Sequence, residues 1–477
     1  MGETMSEVRL PEGFFLGAAM SAAQVEGARS VGGKLPSTWD LWSDLALEDF
    51  HNHVGSDLGN DFYHRYESDL DLLKGLGLTS FRTSISWSRL LDQDGNINPE
   101  GAAFYHRLFA YAARIGLEVF VTLYHFDLPA YLFRRGGWES RDTVEAFSSY
   151  ASRVFAEFGQ EVRYWFTFNE PIVEPENRYL YGGWYPFVHD FGRCRRAQYH
   201  ISLAHSLGVY QFRRAQEAGV VRDDAMIGLV SSFAPAYTRD DPSDADLEAL
   251  RMSDGLANRW WLDLVCKGTL PSDVIDPIEA SGVDLDRRPG DDAVLALGTV
   301  DWLGCNYYQP NRVQAPARTK GDDGQPIFAD PYIWPDRVMN ESRGWEVYPK
   351  GLYDFGLKIR DEYPGLAWYV SENGMGIEGE SAHRDEAGTI QDGYRIDFTA
   401  GHLAWLVKAI EEGSDCRGYH SWGVIDNWSW DHAYKNRYGF IEVDLDHDLE
   451  RRPKASAAWL KEVCRTRGFE WDPEVAR

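Results

Sequence analysis

The stretch Tyr164-Trp165-Phe166-Thr167-Phe168-Asn169-Glu170-Pro171 decides the fold class. Aromatic and β-branched residues fill it and no helix former dominates, so it reads as a strand. Pro171 ends it, because proline cannot continue a central strand and restricts the residue before it. An Asn-Glu pair is thereby presented where a buried strand meets a loop. A carboxyl held there against apolar rings has its pKa raised towards neutrality by desolvation. A second run of the same design, Ala367-Trp368-Tyr369-Val370-Ser371-Glu372-Asn373-Gly374, ends in Glu372 before an Asn-Gly turn signal. Either glutamate alone reads equally well as a loop cap or as an arginine's partner. Two strands that both end in glutamate suggest one rim of one sheet.

Six further apolar runs lie at 14–19, 80–87, 118–125, 226–231, 301–308 and 417–422. Helical patterns stand between most of them, at 66–76, 99–115, 142–158, 194–218, 244–265 and 394–412. Eight strands alternating with helices predict a parallel sheet closed into a (β/α)8 TIM barrel, an α/β fold whose chemistry sits at the C-terminal mouth. Polar residues end several of these runs: Arg82, His125, Asn169 with Glu170, Asn306 with Tyr308, and Glu372. An open doubly wound sheet is the alternative, but no Gly-rich phosphate turn follows the first strand. There is no internal repeat, low-complexity tract or evident linker, so residues 1–477 are expected to form one catalytic domain. Residues 310–345, rich in Pro, Asp, Gly and Arg, read as a long loop over the mouth.

A net charge of −27 over 477 residues argues against nucleic acid as a partner and would repel anionic substrates at long range. The 18 tryptophans suit the apolar faces of sugars as well as a core. Five cysteines, at 194, 266, 305, 416 and 464, have no metal-type spacing and are expected to be reduced thiols of a cytoplasmic protein. No signal peptide or membrane span is read, and the Met1-Gly2 start with Ser6 is taken as a chance match to a myristoylation pattern. The sequons at Asn340 and Asn427 would matter only in a secreted chain.

The Thr167–Pro171 and Ser371–Gly374 motifs resemble the two signatures of glycoside hydrolase family 1, the retaining β-glycosidases. The resemblance extends in order through Phe15-Leu16-Gly17-Ala18-Ala19, Gln24-Val25-Glu26-Gly27, Arg82, Ser86-Trp87-Ser88-Arg89, Tyr124-His125-Phe126-Asp127-Leu128-Pro129, Asn306-Tyr307-Tyr308 and Gly344-Trp345. It implies the same eightfold barrel and hydrolysis by double displacement, with no cofactor or metal. Glu170 would be the general acid and then base, and Glu372 the nucleophile that forms a covalent glycosyl-enzyme. Such chemistry holds its two carboxyls roughly 5–5.5 Å apart. By the same resemblance Arg82 and Tyr308 would keep Glu372 ionised. Gln24 and His125 would meet the 3- and 4-hydroxyls of the glycone, Asn169 its 2-hydroxyl, and Asn306 would join the substrate-binding set. Trp422 would be the floor of the sugar site, Trp430 an indole donor and Trp345 the aglycone platform. Phe126 stands where tryptophan is usual, which keeps an aromatic wall.

Two departures bear on substrate. β-Glucosidases of that family place a glutamate where Ser429 stands, whereas the 6-phospho-β-glycosidases carry serine there, with a lysine and a tyrosine downstream. Tyr438 matches the tyrosine; Asn436 holds the lysine position, with Lys435 one residue earlier. The expectation is an exo-acting enzyme for 6-phosphorylated β-glucosides or β-galactosides, held by Ser429, Lys435 and Tyr438, with Trp430 resembling the galactoside branch. An unphosphorylated β-glycosidase, a transglycosylase and a non-catalytic carbohydrate-binding barrel remain as alternatives. The small-molecule glycoside is the expected partner, with a homo-oligomer left open.

Overall fold

The computed structural model describes residues 6–472, so the Met1-Gly2 start lies outside the described residues. Eight parallel strands close into a barrel in chain order. They are β1 (Phe15–Ala19), β2 (Ser80–Ser84), β3 (Glu118–Tyr124) and β4 (Tyr164–Asn169). The circuit continues through β5 (Met226–Ser232), β6 (Trp302–Asn306), β7 (Ala367–Asn373) and β8 (Cys416–Trp422), which pairs back onto β1. All eight expected strands are present. The second is shorter than its apolar run because a short helix, Trp87–Leu90, begins inside it.

The strands are buried on both faces, which is why they read as continuous apolar runs. Inside the barrel Phe120, Tyr164, Phe166, Val230, Trp302, Ala367 and Tyr369 form one cluster, and the Trp302 and Tyr369 rings stack at 4.8 Å. This aromatic plug fills the lower barrel and leaves the polar strand ends above it as a mouth. Beside it, Ser80 Oγ and His420 Nε2 pair at 2.8 Å.

Helices cover the outside much as their periodicity predicts. Pro99–Ile115 starts on Asn98, whose side chain accepts from the Glu100 N–H, and stops at Gly116 in the left-handed region. The pattern expected over 244–265 is instead two helices, Asp244–Asp254 and Trp260–Lys267, joined by a wider turn at Gly255–Arg259. The helix Lys350–Glu362 between β6 and β7 was not expected, since Gly351 and Gly356 dilute its signal. Residues 310–345 do lie beside the mouth but not as a bare loop. Asn311–Gln314 joins a three-stranded sheet with Ala236–Tyr237 and Asp330–Pro331, and Met339–Asn340 pairs with Trp345–Glu346. Among the described residues no helix is long and apolar enough to cross a membrane.

The ends of β7 and β8 approach so closely that a Cβ on Gly374 would stand 1.7 Å from the Trp422 carbonyl oxygen. Gly374→Ala is therefore expected to cost about 1–3 kcal/mol or more by overpacking. Gly393→Ala, at an open helix start where a Cβ meets nothing, should be neutral. Thermal unfolding of the two variants checks this, with a lowered midpoint expected for Gly374→Ala alone.

Candidate active site

The motif strand β4 turns outward before it ends. Its register with β5 shifts between Phe166 and Asn169. Thr167 then bonds the His205 ring at 2.6 Å, and Phe168 packs on Phe147 and Trp138, all outside the barrel. The shift swings Asn169 inward and leaves Glu170 at the rim with a positive φ of 41°, a conformation that costs a non-glycine residue energy and is held here by Glu170 N–H donating to the Val230 carbonyl at 2.8 Å. β7 shows a similar shift between Val370 and Glu372. Both glutamates line one cavity of about 1270 Å³, its open mouth included, at the C-terminal ends of the strands.

Beneath that cavity the Arg82 guanidinium is fully buried and shared among three strands. It donates to Glu372 Oε1 at 2.5 Å, to Asn169 Oδ1 at 2.6 Å and to Thr122 Oγ1 at 3.1 Å. The Tyr308 hydroxyl donates to the other Glu372 oxygen at 2.8 Å. Asn306 Nδ2 donates to Asn169 Oδ1 at 3.1 Å, and Asn306 Oδ1 accepts from Ser371 at 2.7 Å. Asn169 and Asn306 are thus buried beside the cavity and tie the carboxyl-bearing strand ends together.

The network also sets a tautomer. Asn169 Oδ1 is taken up by two donors, so its Nδ2 donates at 3.0 Å to His125 Nε2. Burial and the Arg82 charge push the His125 pKa well below the ordinary imidazole value, so the ring is neutral and its proton sits on Nδ1. That buried Nδ1 has no protein partner, and His125 lines the cavity. It is a free donor for a hydroxyl.

Burial is the largest influence on both glutamates and raises both pKa values. The remaining influences divide them. For Glu170 the next is the Glu372 charge, which raises it again, to about 8. For Glu372 those that follow, the Arg82 charge and hydrogen bonds from Tyr308, Arg82 and Asn306, all favour the ionised form. Arg82 and Tyr308 sit on Glu372 as expected, yet they offset its burial only in part. The direction that follows from these causes is a protonated Glu170 beside an ionised Glu372.

Gln24, Trp345, Trp422, Ser429, Trp430 and Tyr438 also line the cavity. Gln24 is oriented by Ser21 Oγ, which donates to its Oε1 at 2.8 Å, and by its own Nε2 donating to the Trp428 carbonyl at 2.8 Å. Trp422 lies 5.9 Å from the His125 ring, Trp430 stacks on Trp39 at 4.5 Å, and Trp345 lies 5.3 Å from Tyr308. Buried ion pairs hold the segment that carries Ser429 and Tyr438. Asp426 accepts from Gly439 N–H at 2.8 Å and Lys454 at 3.2 Å, while Arg395 donates to the Tyr438 carbonyl at 2.8 Å.

Lys435 is placed apart from Ser429 and Tyr438: it lines a neighbouring depression and faces Glu378 at 3.5 Å. Asn436 is buried against Glu378 in a short strand pair and does not line the cavity either. Residues not singled out in the sequence do line it, among them Arg343, Asp431 and His432. Their neighbourhood to Trp345 and Trp430 was the sole available signal.

A model of Glycosyl hydrolase family 1 matches residues 6–469. The chain belongs to this family. It is a glycosyl hydrolase with the family's closed barrel. A 6-phospho-beta-glucosidase, GmuD, of Bacillus subtilis is 42% identical to it, with 97% of this chain and 99% of the relative covered. A 6-phospho-beta-galactosidase of Streptococcus mutans is 34% identical over 96% of this chain and 98% of its own length. The solved structure of a beta-glucosidase from Thermotoga maritima in complex with glucoimidazole superposes with a TM-score of 0.87 at 30% identity, covering 97% of this chain and 100% of that one.

In this glycosyl hydrolase the Glu372 charge is the second cause of the raised Glu170 pKa. Glu372→Gln removes that charge, so the titration midpoint of Glu170 is expected to fall below about 8. Carbon-13 NMR of labelled glutamate carboxyls across the pH range checks it; an unmoved midpoint would mean burial alone sets the value.

Proposed function

We propose that Glu372 is the nucleophile and Glu170 the acid–base of a retaining, exo-acting β-glycosidase whose glycone carries a 6-phosphate. The observation that carries the catalytic part is the opposed environment of two carboxyls in one cavity, one beside a cation and one beside a negative charge. An ionised Glu372 attacks the anomeric carbon while Glu170 gives its proton to the departing oxygen. Glycosylation then consumes the Glu372 charge, the Glu170 pKa drops, and the same carboxylate takes the proton of the incoming water. His125 Nδ1–H and Gln24 would hold ring hydroxyls, with Trp422 beneath the sugar and Trp345 beneath the aglycone.

For the phosphate, Ser429 is the supporting feature. It is buried on the cavity wall beside Tyr438, and a serine there leaves room and no charge where a carboxylate would oppose a dianion. The names of two relatives, a 6-phospho-beta-glucosidase and a 6-phospho-beta-galactosidase, favour the same reading. A neutral β-glucoside is the second reading, favoured by the outward turn of Lys435 and by Asp431 on the cavity wall. We take the whole chain to work as one catalytic domain.

With p-nitrophenyl β-glucoside and its 6-phosphate compared side by side, kcat/KM should favour the phosphorylated substrate clearly; preference for the neutral sugar would refute the phosphate. Glu372→Gln should abolish turnover of every substrate. Glu170→Gln should leave bond cleavage largely intact for good leaving groups and lose at least ~100-fold with alkyl glycosides. Pre-steady-state kinetics read this, and equal losses on both substrate types would contradict the acid role.

A further inference from the structure

We propose that Arg343 is the cation that recognises the 6-phosphate of the glycone, in place of Lys435, which faces Glu378. The inference rests on the phosphorylated-substrate reading and names the residue behind it. Arg343 lies in the turn between Met339–Asn340 and Trp345–Glu346 and lines the same cavity as Ser429 and Tyr438. Its Nε is buried without a hydrogen-bond partner, and among the described residues no carboxylate pairs with its guanidinium. Three other arginines of this region are committed: Arg312 to Glu346 at 2.6 Å, Arg384 to Glu442 at 2.7 Å and Arg437 to Asp426 at 3.4 Å. In a chain with 75 acidic and 48 basic residues, a partly buried guanidinium left unpaired at a cavity wall is a site for an anion that is not part of the protein.

The group is also aimed. Its guanidinium carbon stands 4.3 Å from the centre of the Trp345 ring, and Trp345 in turn packs on Tyr308, which holds Glu372. The turn itself is pinned to the segment after β7: Asn340 Nδ2 donates to the Gly376 carbonyl at 3.0 Å, and Glu378 N–H donates to Ser342 Oγ at 3.0 Å. Gly376 lies against Tyr438, since a Cβ there would stand 2.5 Å from the phenol ring. The Arg343 charge consequently acts on Tyr438 and on His432. Asp431 is the one carboxylate on this part of the wall, and His432 Nε2 faces it at 4.0 Å.

A phosphate monoester between Arg343, Tyr438 and Ser429 would receive a planar two-pronged donor and two hydroxyls, which suits its three oxygens. Lys435 instead faces Glu378 at 3.5 Å and lines a neighbouring depression.

The ratio of kcat/KM for p-nitrophenyl β-glucoside 6-phosphate over the neutral glucoside tests this in wild type, Arg343→Gln, Arg343→Lys and Lys435→Ala. Arg343→Gln should lower the ratio about 10- to 100-fold, the worth of a charged hydrogen-bonding group, and Arg343→Lys should recover part of it. Lys435→Ala should leave the ratio within about twofold of wild type. A ratio lost in Lys435→Ala and kept in Arg343→Gln would overturn the assignment, as would an equal loss on both substrates, which would make Arg343 only a prop for Trp345. A wild-type ratio near one would sink the phosphorylated-substrate reading itself, a result visible before any variant is made.

Discussion

One buried cation organises the mouth of this barrel. Arg82 has no exposure, and a guanidinium taken out of water is tolerable only when its donors are met and its charge is opposed. Its three contacts fall on β3, β4 and β7, so satisfying one side chain on β2 fixes the relative heights of four strand ends. Removal of either partner of such a pair costs on the order of 3–5 kcal/mol, because the other charge is left stranded. The aromatic plug below supports this arrangement by leaving no room for the polar layer to sink.

The same cation has consequences beyond its own hydrogen bonds. Burial raises the pKa of both glutamates; the cation opposes this at Glu372, while the Glu372 charge adds to it at Glu170, which reaches about 8. The cation also disfavours a charged His125, which keeps that ring neutral and directs its free N–H into the cavity. A difference in proton affinity between two chemically identical side chains thus comes from their neighbours, a cation and hydrogen-bond donors at one and a negative charge at the other, with burial amplifying each effect. The long-range field of a chain with net charge −27 works against an anionic substrate, so any phosphate recognition has to be local and short-range.

How much was legible beforehand follows from periodicity. The barrel strands are continuous apolar runs, and the residue at the end of each has one place to go, so Arg82, His125, Glu170, Tyr308 and Glu372 could be assigned to the mouth. Asn169 and Asn306 fall in the expected layer of the fold, but the register shifts beside them, which set how the strand ends turn, are invisible in a residue count. Lys435 lines a neighbouring depression for a related reason. The segment that carries it has left-handed residues at Trp430 and Ala433, with φ of 55° and 45°, and each such residue redirects the side chains that follow. Arg343 has only its place beside Trp345 in the sequence to mark it. It sits in a short turn of no period, and only the approach of that turn to Gly376 and Tyr438, distant in sequence, brings its charge to the cavity.

The division of labour between the two glutamates is tested most directly by covalent trapping. The protein is incubated with a 2,4-dinitrophenyl 2-deoxy-2-fluoro-β-glucoside, neutral and 6-phosphorylated, and the labelled peptide is located by mass spectrometry. A single sugar attached to Glu372, with Glu170 unmodified, is the expected result. Inactivation with the label on Glu170, or turnover through a route that leaves Glu372 free in every trapped species, would contradict the account.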